Sequence, residues 1–403
     1  MCGICGVAYS SPERPLDRGM LERMTESLQH RGPDSYGFHF APGIGLGIRR
    51  LSIIDLETGD QPISNEDGTL TIVCNGEIYN YRELRQQLIA AGHRFRTQSD
   101  VEVIVHLYED HGVDCLHHLR GMFGFALWDS RQRRLMLARD RLGIKPLHYA
   151  IENDACYFGS EQKAILAADC IERKLDVHAL EDLFTLGLVR TPKTLFTRIR
   201  RNPPGQYLLY QNGTASLREY WDLDLAAPAE ASLKPQECAD ALLEQLTESV
   251  RFHLISDVRV GAWLSAGVDS SAVVALMSRL VERPVETFTL GFEHAEFDEV
   301  RSQRTLDRFP SSGLTNHRVV CTAQDMALLP KALWHSEDPV VVASDIPRML
   351  LSEASAKRVK VVWTGEGADE VFGGYGWYGV EKVLRPLARL PFVFARSARR
   401  GPG

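Results

Sequence analysis

The spacing of apolar residues changes part-way along the sequence, and this change restricts the possible folds more than any other feature. Before residue 213, short apolar or alternating runs separated by Gly, Pro, Asn and Asp predict strands. These runs span residues 46–54, 70–74, 122–129 and 134–138. Residues 81–91 have helical periodicity instead, so the first part is predicted to be an α+β domain with many strands.

A second helix in this part is indicated by a capping-box pattern. Ser99 and Glu102 have the Ser-x-x-Glu spacing and precede apolar positions at helical intervals. Asp100 would then lie in the first helical turn, where a negative charge is favoured whatever its function.

Beyond residue 235, strands and helices alternate. The predicted elements are a helix, a strand, a helix, a strand and a later strand, at residues 235–252, 258–264, 270–281, 285–290 and 359–363. Apolar strands alternating with helices predict a parallel, doubly wound sheet, which binds ligands beyond the carboxyl ends of its strands. Two domains also suit 403 residues, since single cores stop growing at roughly 250 to 300 residues.

Composition and charge exclude several classes of protein. The net charge of -7 opposes binding to a nucleic-acid backbone, and no apolar run is long enough for a membrane helix. The first residues lack the basic start and apolar run of a signal peptide, so we expect a cytoplasmic protein. Eight dispersed cysteines favour reduced thiols, and the Cys2-x-x-Cys5 pair lacks the further ligands that a zinc site needs.

Cys2 follows the initiator methionine, and this position has a chemical use. Removal of Met1 would place a thiol and a free α-amine on one residue. An α-amine with a pKa of about 7.7 to 8.0 can take the proton of a thiol with a pKa of about 8.5. Cys2 is therefore a candidate nucleophile that carries its own base.

Several motifs that accompany Cys2 occur in one order along the chain. They are Met-Cys-Gly-Ile-Cys-Gly at residues 1–6, His-Arg-Gly-Pro-Asp at 30–34, Arg-Leu-Ser-Ile-Ile-Asp at 50–55, Asn-Gly-Glu-Ile-Tyr-Asn at 75–80 and Arg-Asp-Arg-Leu-Gly-Ile-Lys-Pro at 139–146. Together they resemble the class II glutaminase domain of the N-terminal-nucleophile hydrolases, over nearly all of residues 2–213. The resemblance implies an αββα sandwich.

The resemblance also implies roles for individual residues. Cys2 would be the nucleophile, with Asn75 and Gly76 donating to the oxyanion of the tetrahedral intermediate. Arg50 would bind the α-carboxylate of glutamine, and Asn75, Glu77 and Asp100 would complete its binding site. From the residues alone, Asn-Gly could equally form a hairpin turn, and an arginine could be a solvated charge.

A polar loop between a predicted strand and helix marks the second domain. Residues 265–271 read Ser-Ala-Gly-Val-Asp-Ser-Ser, and hydroxyls and N–H groups at a helix N-terminus suit a phosphate anion. The loop has no Walker A lysine but resembles the pyrophosphate loop of the ATP pyrophosphatases. Ala266 departs from the usual glycine, which matters if that position needs a positive φ. A simple Ser-rich helix cap is the alternative.

A second motif, Thr-Gly-Glu-Gly-Ala-Asp-Glu-Val-Phe-Gly-Gly-Tyr at residues 364–375, matches the asparagine synthetase family. The resemblance implies Mg²⁺ bound through ATP at Asp269 and Asp369, and Glu366 orienting the acceptor or its adenylate. The ATP-binding residues that it implies are Leu264, Ser265, Gly267, Asp269, Ser270, Ser271, Leu290, Thr364 and Gly365.

These resemblances imply a glutamine-hydrolysing asparagine synthetase family member, which uses ATP and glutamine to convert aspartate to asparagine. The expected division is a glutaminase domain at residues 2–213, a linker at 214–235 and an α/β ATP-pyrophosphatase-like domain at 236–403. Only 29 residues follow Gly374, so we expect an incomplete synthetase domain that makes little amide. Amidation of another carboxylate, a glutamine-sensing module and a homodimer all remain open.

Overall fold

The computed structural model describes residues 1–224, 234–293, 313–337, 344–380 and 384. By the packing of its Cα atoms the chain divides into two compact units. The first comprises Met1–Arg259 and Cys321–Val361, and the second Val260–Val320 and Val362–Gly403. Residues 225–233 of the predicted linker lie outside the described residues, and the domain boundaries stay predictions.

The secondary-structure elements are numbered in chain order. The described strands are β1 (Gly3–Tyr9), β2 (Ser35–Ala41), β3 (Ile44–Arg50), β4 (Ile63–Ser64), β5 (Leu70–Ile78), β6 (Gly121–Asp129), β7 (Arg134–Arg139), β8 (His148–Glu152), β9 (Ala155–Gly159), β10 (Arg200–Arg201), β11 (Gln206–Gln211), β12 (Thr214–Glu219), β13 (Val260–Trp263), β14 (Val285–Phe292), β15 (Leu314–Cys321) and β16 (Val361–Trp363). The described α-helices are α1 (Arg18–Glu26), α2 (Tyr81–Ala91), α3 (Glu102–His111), α4 (Cys115–His118), α5 (Gln162–Leu166), α6 (Val177–Leu186), α7 (Pro235–His253), α8 (Val268–Leu280), α9 (Leu329–Ser336), α10 (Asp345–Ala356) and α11 (Ala368–Phe372).

Two antiparallel sheets form the centre of the first unit. Their strand orders among the described residues are β10-β8-β9-β1-β3-β2 and β12-β11-β7-β6-β5-β4. Alternate residues of one strand face different layers, so Ile4 of β1 packs between the sheets while Val7 packs towards α1. Likewise, Val73 of β5 lies between the sheets and Ile72 packs with α2 and α3. The predicted αββα sandwich is confirmed.

Of the secondary-structure elements predicted in this unit, some have the predicted bounds and others do not. Helix α2 has the predicted bounds, whereas the strand predicted at residues 46–54 ends at Arg50. The strand predicted at residues 70–74 continues to Ile78, so a hairpin turn at the Asn-Gly pair is wrong. The sheet pairing also continues through β12, which lies within the predicted linker.

The predicted capping box at α3 is wrong. The helix begins at Glu102 without a side-chain cap, and the Glu102 carboxylate accepts from the N–H groups of Arg96 and Thr97 instead. Asp100 therefore lies just before the helix rather than in its first turn.

The second unit contains the sheet β15-β14-β13-β16. Strands β13 and β14 are parallel, with Trp263 opposite Phe288, and α8 packs on β14. The loop at residues 264–267 joins β13 to α8. This arrangement confirms the predicted α/β fold and places the Ser-rich loop at a carboxyl end of the sheet.

Two further expectations concern cysteines and membranes. None of the eight cysteines, which all lie among the described residues, is part of a disulfide. Among the described residues, the helices are too short or too polar to cross a bilayer.

Candidate active site

Cys2 lies immediately before β1, against the residue that follows β3. The N–H of Leu51 donates to Cys2 Sγ at 3.4 Å, and Sγ lies 3.7 Å from the Leu51 carbonyl oxygen. Pairing of β1 with β3, which sets Gly3 opposite Arg49, brings these residues together. Burial raises the pKa of the Cys2 thiol, and the positive charge of the terminal amine opposes this shift. The thiol therefore needs a neighbouring base to become a thiolate.

The start of β1 is held by Arg31. Its Nε donates to the Cys2 carbonyl oxygen at 2.9 Å, and its guanidinium pairs with Glu161 at 2.8 Å. His30 also bonds to Glu161, with Nε2 2.9 Å from a carboxylate oxygen. The His-Arg-Gly-Pro-Asp motif thus fixes the backbone of Cys2.

The end of β5 carries a buried amide without a partner. Asn75 is 1% exposed, and its Nδ2 has no hydrogen-bond acceptor among the described residues. The thiol of Cys2 interacts electrostatically with Cys74 and Glu77, the residues on either side of the Asn-Gly pair. A buried amide donor with nothing to donate to costs stability and therefore points to a ligand.

Gly76 lies between Asn75 and Glu77 in close contact with β6. A Cβ at this position would lie 2.5 Å from the Met122 carbonyl oxygen and 2.8 Å from Phe123 Cα. Any larger residue at position 76 would push the end of β5 away from β6. A glycine at position 76 is therefore required by strand packing, not by a turn.

Asp100, which is buried, and Glu77, which is half-buried, form a pair of carboxyl groups. The N–H of Ile78 donates to Asp100 Oδ2 at 2.7 Å, which ties the segment before α3 to the end of β5. Burial raises the pKa of Asp100 to about 6. Burial and the proximity of Asp100 raise the pKa of Glu77 well above its ordinary range. Such a pair favours binding of a cation.

Arg50 is buried at the end of β3, which excludes a simple solvated charge. Its guanidinium donates to Asp60 Oδ1 at 2.9 Å and to the carbonyl oxygens of Ile54 and Asp55 at 3.0 and 2.6 Å. Asp60 is largely exposed. An anionic ligand could therefore replace it as the partner of the guanidinium.

In the second unit, the loop between β13 and α8 is organised by its own hydroxyls. The Oγ atoms of Ser265 and Ser270 lie 2.9 Å apart, and the Gly267 N–H donates to Ser265 Oγ at 3.1 Å. Ser271 Oγ donates to the Gly267 carbonyl oxygen at 2.7 Å. The N-cap of α8 is Gly267, which has no side chain to cap the helix, so this helix terminus suits an anion.

The Ser-rich loop at residues 265–271 and the motif at residues 364–375 lie in contact at Gly365. A Cβ on this glycine would lie 3.0 Å from the Ser270 nitrogen and 3.2 Å from Asp269 Cβ. Thr364 and Gly365 follow β16 directly, as Leu264 follows β13. The strand ends therefore bring together residues that are far apart in sequence.

The other residues that the family resemblance implies for ATP and Mg²⁺ binding differ in their environments. Leu264 is 3% exposed, and its N–H bonds to the Phe288 carbonyl oxygen, while Leu290 is half-buried on β14. Glu366 is exposed and Asp369 half-buried, at the N-terminal side of α11. Ala266 has no positive φ, so an alanine is not strained there.

Comparison with known proteins decides the family. Residues 1–221 match the glutamine amidotransferase domain family, and residues 241–402 match the asparagine synthase family. Asparagine synthetase [glutamine-hydrolyzing] 1 of Bacillus subtilis is 37% identical over 97% of this chain and 61% of its own length. The chain belongs to the glutamine-hydrolysing asparagine synthetase family.

Two further relatives show the breadth of this family. Asparagine synthetase [glutamine-hydrolyzing] 3 of Bacillus subtilis is 33% identical over 95% of this chain and 64% of its own length. Amidase chry2 of Gibberella zeae is 32% identical over 99% of this chain and 63% of its own length. The chain therefore spans somewhat less than two thirds of the length of each of these three relatives.

The structure adds a residue that the family resemblance had not singled out. Lys145 is 6% exposed, and its pKa is lowered by burial and raised by Glu77. Asp140 holds the loop that carries it, accepting from the N–H groups of Ile144 and Lys145, both at 2.9 Å. The Arg-Asp-Arg-Leu-Gly-Ile-Lys-Pro motif was the available signal, but a buried lysine beside Glu77 is visible only after folding.

Proposed function

We propose that this chain takes ammonia from glutamine at Cys2 and uses ATP in its second unit to activate a carboxylate, aspartate, for conversion to asparagine. Cys2 attacks the glutamine amide, ammonia leaves, and water resolves the thioester to glutamate. ATP adenylates the aspartate carboxylate, and ammonia then displaces AMP. Family membership supports the use of ATP.

The unpartnered amide of Asn75 is the observation that carries the glutaminase proposal. A tetrahedral intermediate places negative charge on the former carbonyl oxygen, and preorganised donors stabilise it. Asn75 Nδ2 is buried and unpaired among the described residues, and Asn75 lies between Cys74 and Glu77, which both interact with the Cys2 thiol. Gly76 would supply the second donor through its backbone N–H.

The charges around Cys2 suit the two ends of glutamine. Arg50 presents a fixed guanidinium for the α-carboxylate, while Glu77 and Asp100 offer carboxylates for the α-ammonium group. Replacing one substrate charge with a neutral group would leave one of these buried side chains without a partner. Selection of a free α-amino acid follows from this arrangement.

The proton of the Cys2 thiol needs an acceptor. Burial lowers the pKa of the Met1 α-amine to about 5. After removal of Met1 the α-amine would belong to Cys2 itself. A neutral amine is the form that can accept the thiol proton.

The second unit has suitable groups for ATP and Mg²⁺. The uncapped start of α8, with Ser265, Ser270 and Ser271 around it, suits the pyrophosphate. Asp269 and Asp369 would hold Mg²⁺ through carboxylate oxygens. Mg²⁺ held by these two carboxylates would supply positive charge that offsets the charge of the phosphates and of the leaving pyrophosphate.

An acceptor other than aspartate is the second candidate. The relative named Amidase chry2 matches 99% of this chain at nearly the same identity as the synthetases, so family membership alone does not select aspartate. A cytoplasmic location, a homodimer and the division of the domains at residues 213 and 235 are further proposals from the same resemblance.

Product analysis tests the proposal. The chain is incubated with Mg²⁺, ATP, aspartate and glutamine labelled in its side-chain amide, and glutamate, AMP and labelled asparagine are measured together. Cys2→Ala should abolish glutamate release, whereas Cys170→Ala, which changes an exposed thiol, should not. Undiminished glutamate release by Cys2→Ala contradicts the nucleophile assignment, and labelled amide on another acid selects the second candidate.

A further inference from the structure

Four side chains with metal-binding atoms meet on the outer side of the first unit, remote in sequence from Cys2. They are Glu66, His93, His106 and Glu109, and one ligand atom from each lies within 4.8 Å of all the others. Glu66 lies in the turn between β4 and β5, and His93 follows the C-terminus of α2. His106 and Glu109 are on one face of α3 at i and i+3.

The distances within this cluster suit a small cation. Nδ1 of His106 lies 3.0 Å from Glu109 Oε2 and 3.4 Å from Glu66 Oε2. Nδ1 of His93 lies 3.5 Å from Glu109 Oε2 and 3.6 Å from Glu66 Oε1. A tetrahedral ion with bonds of roughly 2.0 to 2.1 Å holds its ligand atoms about 3.3 to 3.4 Å apart.

Both imidazoles turn their other nitrogen towards a carboxylate. Nε2 of His93 lies 3.1 Å from Asp110 Oδ1. Nε2 of His106 lies 3.8 Å from Glu102 Oε1, beyond hydrogen-bond distance, and has no hydrogen-bond partner among the described residues. Metal-binding histidines commonly have an outer carboxylate that fixes the tautomer and leaves the inner nitrogen free to bind, and His93 has one. Nδ1 of each histidine lies beside the carboxylates of Glu66 and Glu109.

The inner carboxylates are also held in place by their surroundings. Glu66 Oε1 accepts from the Arg94 N–H at 2.7 Å, and Glu109 Oε1 accepts from Asn65 Nδ2 at 2.8 Å. His106 is fully buried, and the side chain of His93 is 14% exposed. Holding two carboxylates and two imidazoles close together costs free energy unless a positive charge lies between them.

We propose that Glu66, His93, His106 and Glu109 bind a structural divalent transition-metal ion, with Zn²⁺ as the best-fitting ion. Two imidazole nitrogens favour zinc over Mg²⁺ or Ca²⁺, which prefer all-oxygen sites. Four protein ligands also fill a tetrahedral shell, which is typical of structural zinc and leaves no open position for catalysis.

Such an ion would join three segments of the glutaminase unit. It would tie α3 to the end of α2 and to the turn that enters β5. Asp100 lies just before α3, and Asn75 lies towards the end of β5. The ion would therefore stiffen both elements that position the glutamine site.

The test measures zinc binding to the whole chain. The protein is purified, dialysed against a chelator and then titrated with Zn²⁺ in a chromophoric competition assay, with retained metal measured by mass spectrometry. We expect about one equivalent in the wild type, strongly reduced in His93→Gln and Glu109→Gln. Asp110→Asn, which removes only an outer carboxylate, should weaken zinc binding about tenfold or more.

A second histidine–glutamate pair in the chain provides a matched control. His178 and Glu181 have the same i, i+3 spacing on α6, with Nδ1 3.7 Å from Oε2, but both are exposed. His178→Gln and Glu181→Gln should bind zinc like the wild type. A Co²⁺ spectrum should show tetrahedral bands without thiolate charge transfer, which excludes binding by the free cysteines.

Zinc should also raise the melting temperature of the wild type and of the control variants, but not that of His93→Gln. The proposal is overturned if the wild type retains no stoichiometric metal, or if His93→Gln retains as much as His178→Gln. The cluster would then be a network of hydrogen bonds and ion pairs. Neither result depends on whether the chain makes asparagine.

Discussion

The N–H of Ile78 donates a 2.7 Å hydrogen bond to Oδ2 of Asp100, so that the last residue of β5 holds a carboxylate from the segment before α3. This bond connects the strand that carries Asn75 with the proposed binding group for the substrate ammonium. Because it joins residues 22 positions apart, it depends on how α3 packs against the sheet.

The raised pKa of Asp100 predicts how glutamine binding depends on pH. With a pKa of about 6 in the fold, against an ordinary 3.8, the carboxyl keeps a proton that the unfolded chain releases. The stability from this group is therefore present below about pH 4 and is lost as the pH rises towards 6. Glutamine binding needs the ionised form, so the KM for glutamine should rise as the pH falls through 6.

Kinetics of glutamate release against pH check this prediction. Asp100→Asn should have a raised KM at pH 8 and should lose the pH dependence near 6. Asp114→Asn, at an exposed acid beyond α3, serves as the control. A KM in Asp100→Asn that still rises below pH 6 would assign the titration to another group.

Asn75→Ala should reduce the kcat of glutamine hydrolysis by about 100- to 1000-fold, because one oxyanion donor is lost. Its melting temperature should change little, since Nδ2 has no acceptor among the described residues. Asn202→Ala is the contrast, because Asn202 Nδ2 donates to the Gln206 carbonyl oxygen at 3.1 Å. That variant should lose about 1 to 3 kcal/mol in the free energy of unfolding. An unchanged kcat in Asn75→Ala argues against the oxyanion role.

Arg50→Lys keeps the charge and loses the planar fork, so the KM for glutamine should rise by about ten- to a hundredfold. Arg49→Lys is a matched control on the same strand, where the guanidinium pairs with Glu26 instead. Steady-state kinetics at constant ionic strength measure the KM for glutamine of both variants, and only that of Arg50→Lys should rise. Wild-type behaviour of Arg50→Lys would show that the α-carboxylate is bound elsewhere.

Two substitutions in the second unit should affect Mg·ATP binding differently. In Gly365→Ala the new methyl group would lie 3.0 Å from the Ser270 nitrogen, so the loop must shift, and affinity should fall about tenfold. Ala266→Gly should leave affinity nearly unchanged, because residue 266 has no positive φ to relieve. Calorimetric titration with Mg·ATP measures both. A large gain in Ala266→Gly would mean that the Cβ of Ala266 obstructs the phosphates.

Much of the fold follows from local patterns. The bounds of α2, the strands at residues 70–74 and 134–138 and the strand–loop–helix around Ser265 are each set by residues close in sequence. The capping box at Ser99 failed although its residue types were right. The Glu102 carboxylate has stronger partners in the backbone of Arg96 and Thr97, and the segment is held by β5.

The sequence by itself determined which chemical groups are present and in what order: a cysteine at position 2, an Asn-Gly pair and a Ser-rich loop after an apolar strand. Only the tertiary structure decided that Asn75 is a buried donor without an acceptor in the described part of the chain, that Lys145 lies beside Glu77, and that Glu66 joins the histidines near α3. The reason is physical. Periodicity and turn chemistry act over a few residues, whereas pairing between strands and packing of helices on sheets set burial and distance between residues far apart in the chain.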